Sequence, residues 1–278
     1  SQAFNFSVVN CQWEPAALRK VIRRTQEASA SVGAPPTWVL SNHDKVRHAT
    51  RFGYPNGANT ENGIGASDPQ PDREIGLTRA LSATAFLAGL PGSIYLYNGE
   101  ELGLPDATKL PDEARQDPTW QRSGFRVRGR DGCRVPLPWS NDPASNFGFS
   151  PAGANPAWLP QPDNWGEISV KAQEADPDSP LSFYRKMLRV RRALGLGMGE
   201  SSWLESDPEV LALQVSGSTG RKVVVVTNLG AGSRLLPRIA VGDSAKTLLE
   251  TPGIRSLHSF GQSGEDKIAP GQTLWIEI

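Results

Sequence analysis

The sequence predicts an α/β fold in which strand and helix alternate three times before a small antiparallel β domain. Three observations carry that prediction. Short apolar runs recur at Phe4 to Val9, Thr37 to Ser41 and Ser93 to Tyr97, each followed by a stretch of helical periodicity. Helix-to-strand links are short, about five residues, whereas two strand-to-helix links run to roughly 30 and 80 residues. Beyond Gly195-Leu196-Gly197 the pattern changes to short runs separated by turn residues.

The first strand, Phe4 to Val9, alternates Phe-Asn-Phe-Ser-Val. Its helix begins near Glu14, with Pro15 suited to a first turn. Leu18, Val21 and Ile22 supply an apolar stripe flanked by Arg19, Lys20, Arg23 and Arg24. Pro35-Pro36 then punctuates before the second strand, Thr37 to Ser41. The second helix, Arg73 to Gly89, is apolar on most faces and predicts deep burial. Leu90-Pro91-Gly92 stops it, and Ser93 to Tyr97 is the third strand. A third helix, about Pro180 to Leu194, carries Leu181, Tyr184, Leu188 and Leu194 on one side.

Such alternation builds a parallel sheet through right-handed crossovers. Long loops confined to the carboxyl ends of strands are how a (β/α)8 barrel makes an active face. The stretch from about 98 to 180 is rich in Trp, Pro and Gly, which predicts a long ordered loop region, since disordered segments are poor in aromatics. In the last part, Val210 to Val215, Lys222 to Thr227, Arg234 to Ile239, Lys246 to Leu249 and Thr273 to Ile278 read as strands, with a turn at Ser216 to Gly220.

Lys+Arg and Asp+Glu balance at 29 each, so no nucleic-acid or anionic-membrane partner is indicated. No window approaches the ~20 apolar residues of a membrane span. Ser1 to Asn10 lacks the charged start and apolar stretch of a signal peptide. Cys11 and Cys133 have no CxxC spacing and there are 3 histidines, so no metal is expected, and a reduced, cytoplasmic setting is. Gly261-Gln262-Ser263-Gly264 lacks the Gly-x-Ser-x-Gly pattern of a nucleophile elbow, and no phosphate-binding glycine loop follows a strand. No cofactor is expected.

Three polar runs remain. Asn42-His43-Asp44 follows the second strand, with Arg47 and Arg51 beyond it. From spacing alone Asp44 is equally well a cap for the next segment or a functional group. Gly99-Glu100-Glu101 follows the third strand, where an acidic pair is ordinarily just solvated. Arg130-Asp131-x-x-Arg134-x-Pro136-x-x-Trp139 reads either as a charged surface turn or as a binding loop.

In this order the three runs resemble the last third of the catalytic barrel of the α-amylase superfamily of glycoside hydrolases, and most of all its bacterial α-glucosidases. The continuation Arg47-His48-Ala49-Thr50-Arg51-Phe52-Gly53 resembles that group, as does the 130–139 loop, although Val135 and Leu137 stand where its pattern has Thr and Met. The resemblance implies the last three βα units of a TIM barrel in residues 1–197, with a loop insertion at about 98–179, and an antiparallel β domain in 198–278. It implies that Asp44 grips sugar hydroxyls and tightens that grip in the transition state. Asn42, His43, Arg47 and Arg51 would bind substrate, and Glu101, Arg130, Asp131 and Arg134 would support the site. Trp139 either stacks on a sugar or anchors the loop from within. The implied substrate is an α-glucoside or malto-oligosaccharide.

In that superfamily the nucleophile ends the fourth strand and the general acid the fifth, positions that fall before Ser1. Retaining hydrolysis needs both carboxyls ~5–5.5 Å apart, so the chain alone is expected to be inactive. Open sheet edges in a half-barrel predict self-association. The alternatives are a transglycosylase or isomerase acting on trehalose or sucrose, and a non-catalytic sugar-binding or scaffold member.

Overall fold

A computed structural model of the protein describes residues 3–237, 245–253 and 266–278. They group into two compact units: Ser1–Leu40, Thr78–Tyr95 and Phe183–Ile278 in one, Ser41–Leu77 and Leu96–Ser182 in the other.

The chain opens with a correction. Phe4 to Val9 is no strand; helix α1 spans Phe6–Val9. Asn5 decides the difference, because its side chain accepts the Val8 N–H as a helix N-cap and donates to Thr25 Oγ1 and the Thr37 carbonyl. A period-two pattern this short is outweighed by one good cap. Helix α2 (Pro15–Ser31) starts where Pro15 allows it, with Glu14 accepting from the Ala16 and Ala17 N–H groups. It buries Leu18 and Ile22.

Strand β1 (Thr37–Val39) is buried throughout. After α3 (His48–Arg51) and α4 (Arg73–Gly89) comes β2 (Ser93–Tyr95), which pairs with β1 in parallel, Trp38 opposite Ile94. Two parallel strands thus stand where three were expected. The Trp38 indole donates to the Pro91 carbonyl at 2.7 Å, which fastens the end of the α4–β2 link to β1.

The long connection holds α5 (Pro118–Arg122), α6 (Val170–Gln173) and several short 3₁₀ turns before α7 (Pro180–Leu194). It is ordered because its apolar residues bury one another: Leu102, Leu104, Leu110, Val135, Leu137, Leu159 and Trp165 form one cluster. The Gln173 amide donates to the Leu102 and Ile168 carbonyls and accepts from the Leu181 N–H, so one side chain ties three turns. Along α7 the expected stripe holds at Leu181, Tyr184 and Leu194, but Leu188 is exposed, and Phe183 and Met187 are buried as well.

The remaining strands are β3 (Glu200–Trp203), β4 (Val210–Ser216), β5 (Lys222–Asn228), β6 (Arg234–Leu235), β7 (Lys246–Glu250), β8 (Lys267–Ile268) and β9 (Thr273–Glu277). Five form an antiparallel sheet in the order β3-β4-β5-β9-β7, and β6 pairs with β8. The predicted run at Arg234 continues only to Leu235, and Arg238, Ile239 and the Gly261 to Gly264 segment lie outside the described residues. The central strands β4, β5 and β9 are buried on both faces, which is why β4 and β5 read as nearly unbroken apolar runs.

Helix α4 packs on this sheet from Thr78 onward. The Trp275 indole donates to the Ala85 carbonyl, and Ser82, Thr227 and Thr273 share a buried hydroxyl ladder. Gly89 lets the helix close on β5: a Cβ there would sit 2.6 Å from both Val225 methyl carbons. Gly89→Ala is therefore expected to destabilise the chain by about 1–3 kcal/mol through overpacking, read as a lowered Tm. The carbonyls of Ala88, Leu90 and Gly92 at the end of α4 are collected by one buried guanidinium, Arg191.

Candidate active site

The residues of interest all fall within the unit of Ser41–Leu77 and Leu96–Ser182. Chain direction after β1 is set by two local devices. Asn42 Oδ1 accepts the Asp44 N–H at 2.9 Å, an Asx turn. Ser41 Oγ accepts the His48 N–H at 2.9 Å and meets His48 Nδ1 at 2.7 Å. Asn42 is buried and serves this turn, so it is not at the surface where a sugar would be gripped. Buried His48 has its pKa held well below the usual value by burial and by the Arg51 and Arg47 charges, so it stays neutral.

The turn carries the Asp44 carboxylate to a surface where two guanidinium groups meet it. Asp44 Oδ1 accepts from Arg130 Nη1 at 2.7 Å and Arg134 Nη2 at 3.1 Å, while His43 Nε2 stands 3.4 Å from Oδ2. Arg134 Nε also donates to the His43 carbonyl at 2.8 Å. Partial burial opposes ionisation of Asp44, but the Arg130 hydrogen bond and the charges of His43, Arg130 and Arg134 overcome it and hold the pKa below the usual carboxylate range. Its side chain is 36% exposed. Asp44 is thus an ionised acceptor fixed through one oxygen, with the other beside the exposed His43 ring.

Arg130 is positioned in turn. Asp117 Oδ2 accepts from the Arg130 N–H at 2.9 Å and from Nε at 2.6 Å, and its Oδ1 caps α5 through the Thr119 N–H. Asp131 is fully buried, and its Oδ2 accepts the Gln116 and Asp117 N–H groups. Gly129 has φ +73°, and a Cβ there would stand 2.8 Å from the Asp117 carboxyl. Glycine is therefore required where this loop passes the acid that orients Arg130.

Arg47 is not at a sugar-accessible surface, which corrects the substrate-binding expectation. It is 2% exposed, and its guanidinium donates to the Asn98 carbonyl at 2.8 Å and the Cys133 carbonyl at 3.0 Å, 4.7 Å from the Tyr97 ring centre. Its own N–H donates to Asp106 Oδ1 at 2.7 Å. One buried cation thus joins the three polar runs. Arg51 turns back on its own segment, donating to the Val46 carbonyl beside the Phe52 ring. Glu101 accepts the Gly99 N–H at 2.9 Å, a turn-supporting contact. Trp139 is 52% exposed, which removes the buried-anchor reading and leaves its indole available for stacking.

Glu100, not Glu101, is the buried acid. Burial pushes its pKa up to about 8, against the Tyr97 N–H that its carboxyl accepts and the Arg47 charge. The folded pKa lies above the ordinary value of 4.5, so the stabilisation from its protonated form is complete below pH 4.5 and is lost as pH rises through 8. Asp106, raised by burial to about 6, adds a loss of the same sign at lower pH. Glu100→Gln is expected to flatten the fall in stability between these limits, a difference on the order of 5 kcal/mol, measured by denaturant melts across pH.

Sequence pattern alone does not mark Asp117, Asp106 or Tyr97 as site residues. Asp117 carried one usable signal, the Asp-Pro start of a helix; Asp106 carried none. Among the described residues no group of three His, Cys, Asp or Glu gathers as metal ligands, and no helix is long and apolar enough to cross a membrane.

The model of the α-amylase catalytic domain matches residues 1–196. The chain belongs to the α-amylase family. A probable alpha-glucosidase of Rhizobium meliloti (strain 1021) is 32% identical over 198 residues, covering 71% of this chain and 31% of that protein. The trehalose synthase/amylase TreS of Mycobacterium tuberculosis (strain ATCC 25618 / H37Rv) is 34% identical over 185 residues, 59% of this chain and 28% of that one. Among solved structures, the alpha-glucosyl transfer enzyme XgtA superposes with a TM-score of 0.74 at 26% identity, covering 98% of this chain and 45% of its own. The α-amylase-family chain therefore spans about a third of its curated relatives.

Proposed function

We propose that this chain is the carboxyl-terminal portion of a retaining α-glucosidase that removes terminal glucose from malto-oligosaccharides or similar α-glucosides. The observation that carries the reading is the Asp44 carboxylate, ionised and held between Arg130 and Arg134 directly after Asn42-His43. An acceptor fixed this way can take hydroxyl hydrogen bonds from a glucose ring and strengthen them as the ring gains positive charge in the transition state. His43 faces the same sugar and Trp139 offers a stacking surface, while Arg47, Glu101, Asp131 and Asp117 position the loops. Residues 1–197 belong, in this reading, to the last βα units of a TIM barrel, and 198–278 to an appended β domain.

Asp44 is depressed in pKa and doubly paired, so it suits neither a proton-donating acid nor a free nucleophile. The resemblance puts nucleophile and general acid at the ends of the fourth and fifth barrel strands, so the proposal places both outside residues 1–278 and expects the isolated chain to be inactive. The test compares hydrolysis of an aryl α-glucoside by this chain, purified free of host enzymes, with that by a longer product that carries the upstream barrel strands the proposal calls for. Turnover only by the longer product is expected; turnover by the chain alone overturns the proposal.

A transfer or isomerisation reaction is the second reading, favoured by similarity to a trehalose synthase/amylase and to an alpha-glucosyl transfer enzyme. Product analysis separates them: free glucose supports hydrolysis, a rearranged disaccharide supports transfer. Self-association through the open half-barrel also belongs to the proposal. Phe4, Phe6 and Tyr95 support it, since all three are exposed and their rings cluster at 4.9 and 6.4 Å. Light scattering should show a mass above the monomer that rises with concentration, and a clean monomer at high concentration contradicts it.

A further inference from the structure

The unit that carries Asp44 has another cavity, of about 220 Å³, whose lining includes Gln70, Arg73, Asp106, Lys109, Asn164 and Trp165. Its polar groups are unevenly engaged. The Gln70 amide is spent on the Gly65 and Asp68 carbonyls and the Thr108 hydroxyl, so it shapes the wall. Asp106 is 8% exposed; Oδ1 accepts the Arg47 N–H, whereas Oδ2 takes no hydrogen bond from any described residue. Arg73 and Lys109 are exposed and make no ion pair with any described residue.

A carboxylate oxygen that takes no hydrogen bond from any described residue is free to accept one from an occupant, and two unpaired cations beside the same cavity favour an anion. A bare cation is disfavoured by Arg73 and Lys109, and a bare anion by Asp106. One molecule satisfies all three if it carries both an anionic group and hydroxyls. The volume lies below that of drug-sized pockets and suits a single substituted sugar ring.

We propose that this cavity binds a small hydroxylated anion, its charged group paired with Arg73 and Lys109 and one hydroxyl donating to Asp106 Oδ2. The site differs from the one at Asp44, and the proposal stands whether or not the catalytic reading does. Asp106 links the two, because its other oxygen holds the Arg47 backbone, and an occupant would stiffen the segment that carries Asp44.

Isothermal titration of the full chain with glucose 6-phosphate tests this, with glucose and inorganic phosphate as controls. Glucose 6-phosphate is expected to bind at least about tenfold more tightly than either control, the factor of one charge-assisted hydrogen bond. Lys109→Met and Arg73→Met, both at exposed positions, should each weaken it about tenfold, and Asp106→Asn should lower its advantage over inorganic phosphate. Asp44→Ala should leave it unchanged. The proposal is overturned by no binding of glucose 6-phosphate, by inorganic phosphate binding as tightly, by indifference to both cation variants, or by loss of binding in Asp44→Ala.

Discussion

On the function proposed above, Asp44→Asn in an enzyme that contains this chain is expected to lower kcat by about two to three orders of magnitude while KM changes far less. An interaction that strengthens only as the glucose ring acquires charge is lost from kcat and kcat/KM alike. Asparagine keeps the size but not the charge, and turns one oxygen into a donor aimed at Arg130 and Arg134. Stability should barely move. The Asp44 pairs are about a third exposed, and exposed ion pairs are worth ~0–1 kcal/mol. The two effects are separable: steady-state kinetics read the first, and melting of the 278-residue chain reads the second. A large drop in Tm with unchanged kcat would reverse the assignment and make Asp44 a structural cap.

Arg47 should show the opposite split in the chain itself. Arg47→Ala removes a buried guanidinium from two carbonyls, Asn98 and Cys133, and from the Tyr97 ring. Each orphaned carbonyl costs about 1–3 kcal/mol, and the buried Glu100 and Asp106 lose the nearby positive charge that opposes their neutralisation. A loss of about 3–5 kcal/mol follows, which for a chain of this size is a Tm lower by roughly 10 °C. Arg47→Lys should not rescue it, because a single ammonium cannot span two carbonyls as a planar fork does. Unchanged melting in Arg47→Ala would mean that the three polar runs are held together by something else.

The parts of this site that were legible in the sequence are those fixed by local pattern. Asn42-His43-Asp44 stood out because ionisable residues end an apolar run, and the 130–139 loop because its Arg, Asp, Pro and Trp recur at the family's spacing. The structure brings these together across 86 and 90 residues of chain at Arg130 and Arg134. What could not be read was burial. Arg47 and Arg51 are both arginines near a polar run, and only tertiary packing sends the first inward and the second back onto Val46. Glu100 and Glu101 differ in nothing local, yet only Glu100 is buried. Asp117 and Asp106 sit among other charges without any spacing that marks them.

The fold divides along the same line. Helices α2, α4 and α7 were legible because their periodicity runs over 15 or 17 residues, with proline or glycine at their ends. The strand expected at Phe4 to Val9 rested on six residues, too few to outweigh the Asn5 cap. Strand β3 was missed because Glu-Ser-Ser-Trp is polar, as suits an edge strand paired only with β4.

The central claim is that Asp44 binds the transition state more tightly than the substrate. A cationic imino-sugar analogue of the glucosyl transition state tests it most directly, with its Kd measured for the enzyme proposed to contain this chain and for its Asp44→Asn variant. The account predicts that the variant weakens the analogue by the same factor as kcat/KM, with the substrate's own affinity nearly unchanged. An analogue that binds both proteins equally would contradict it and remove Asp44 from the chemistry.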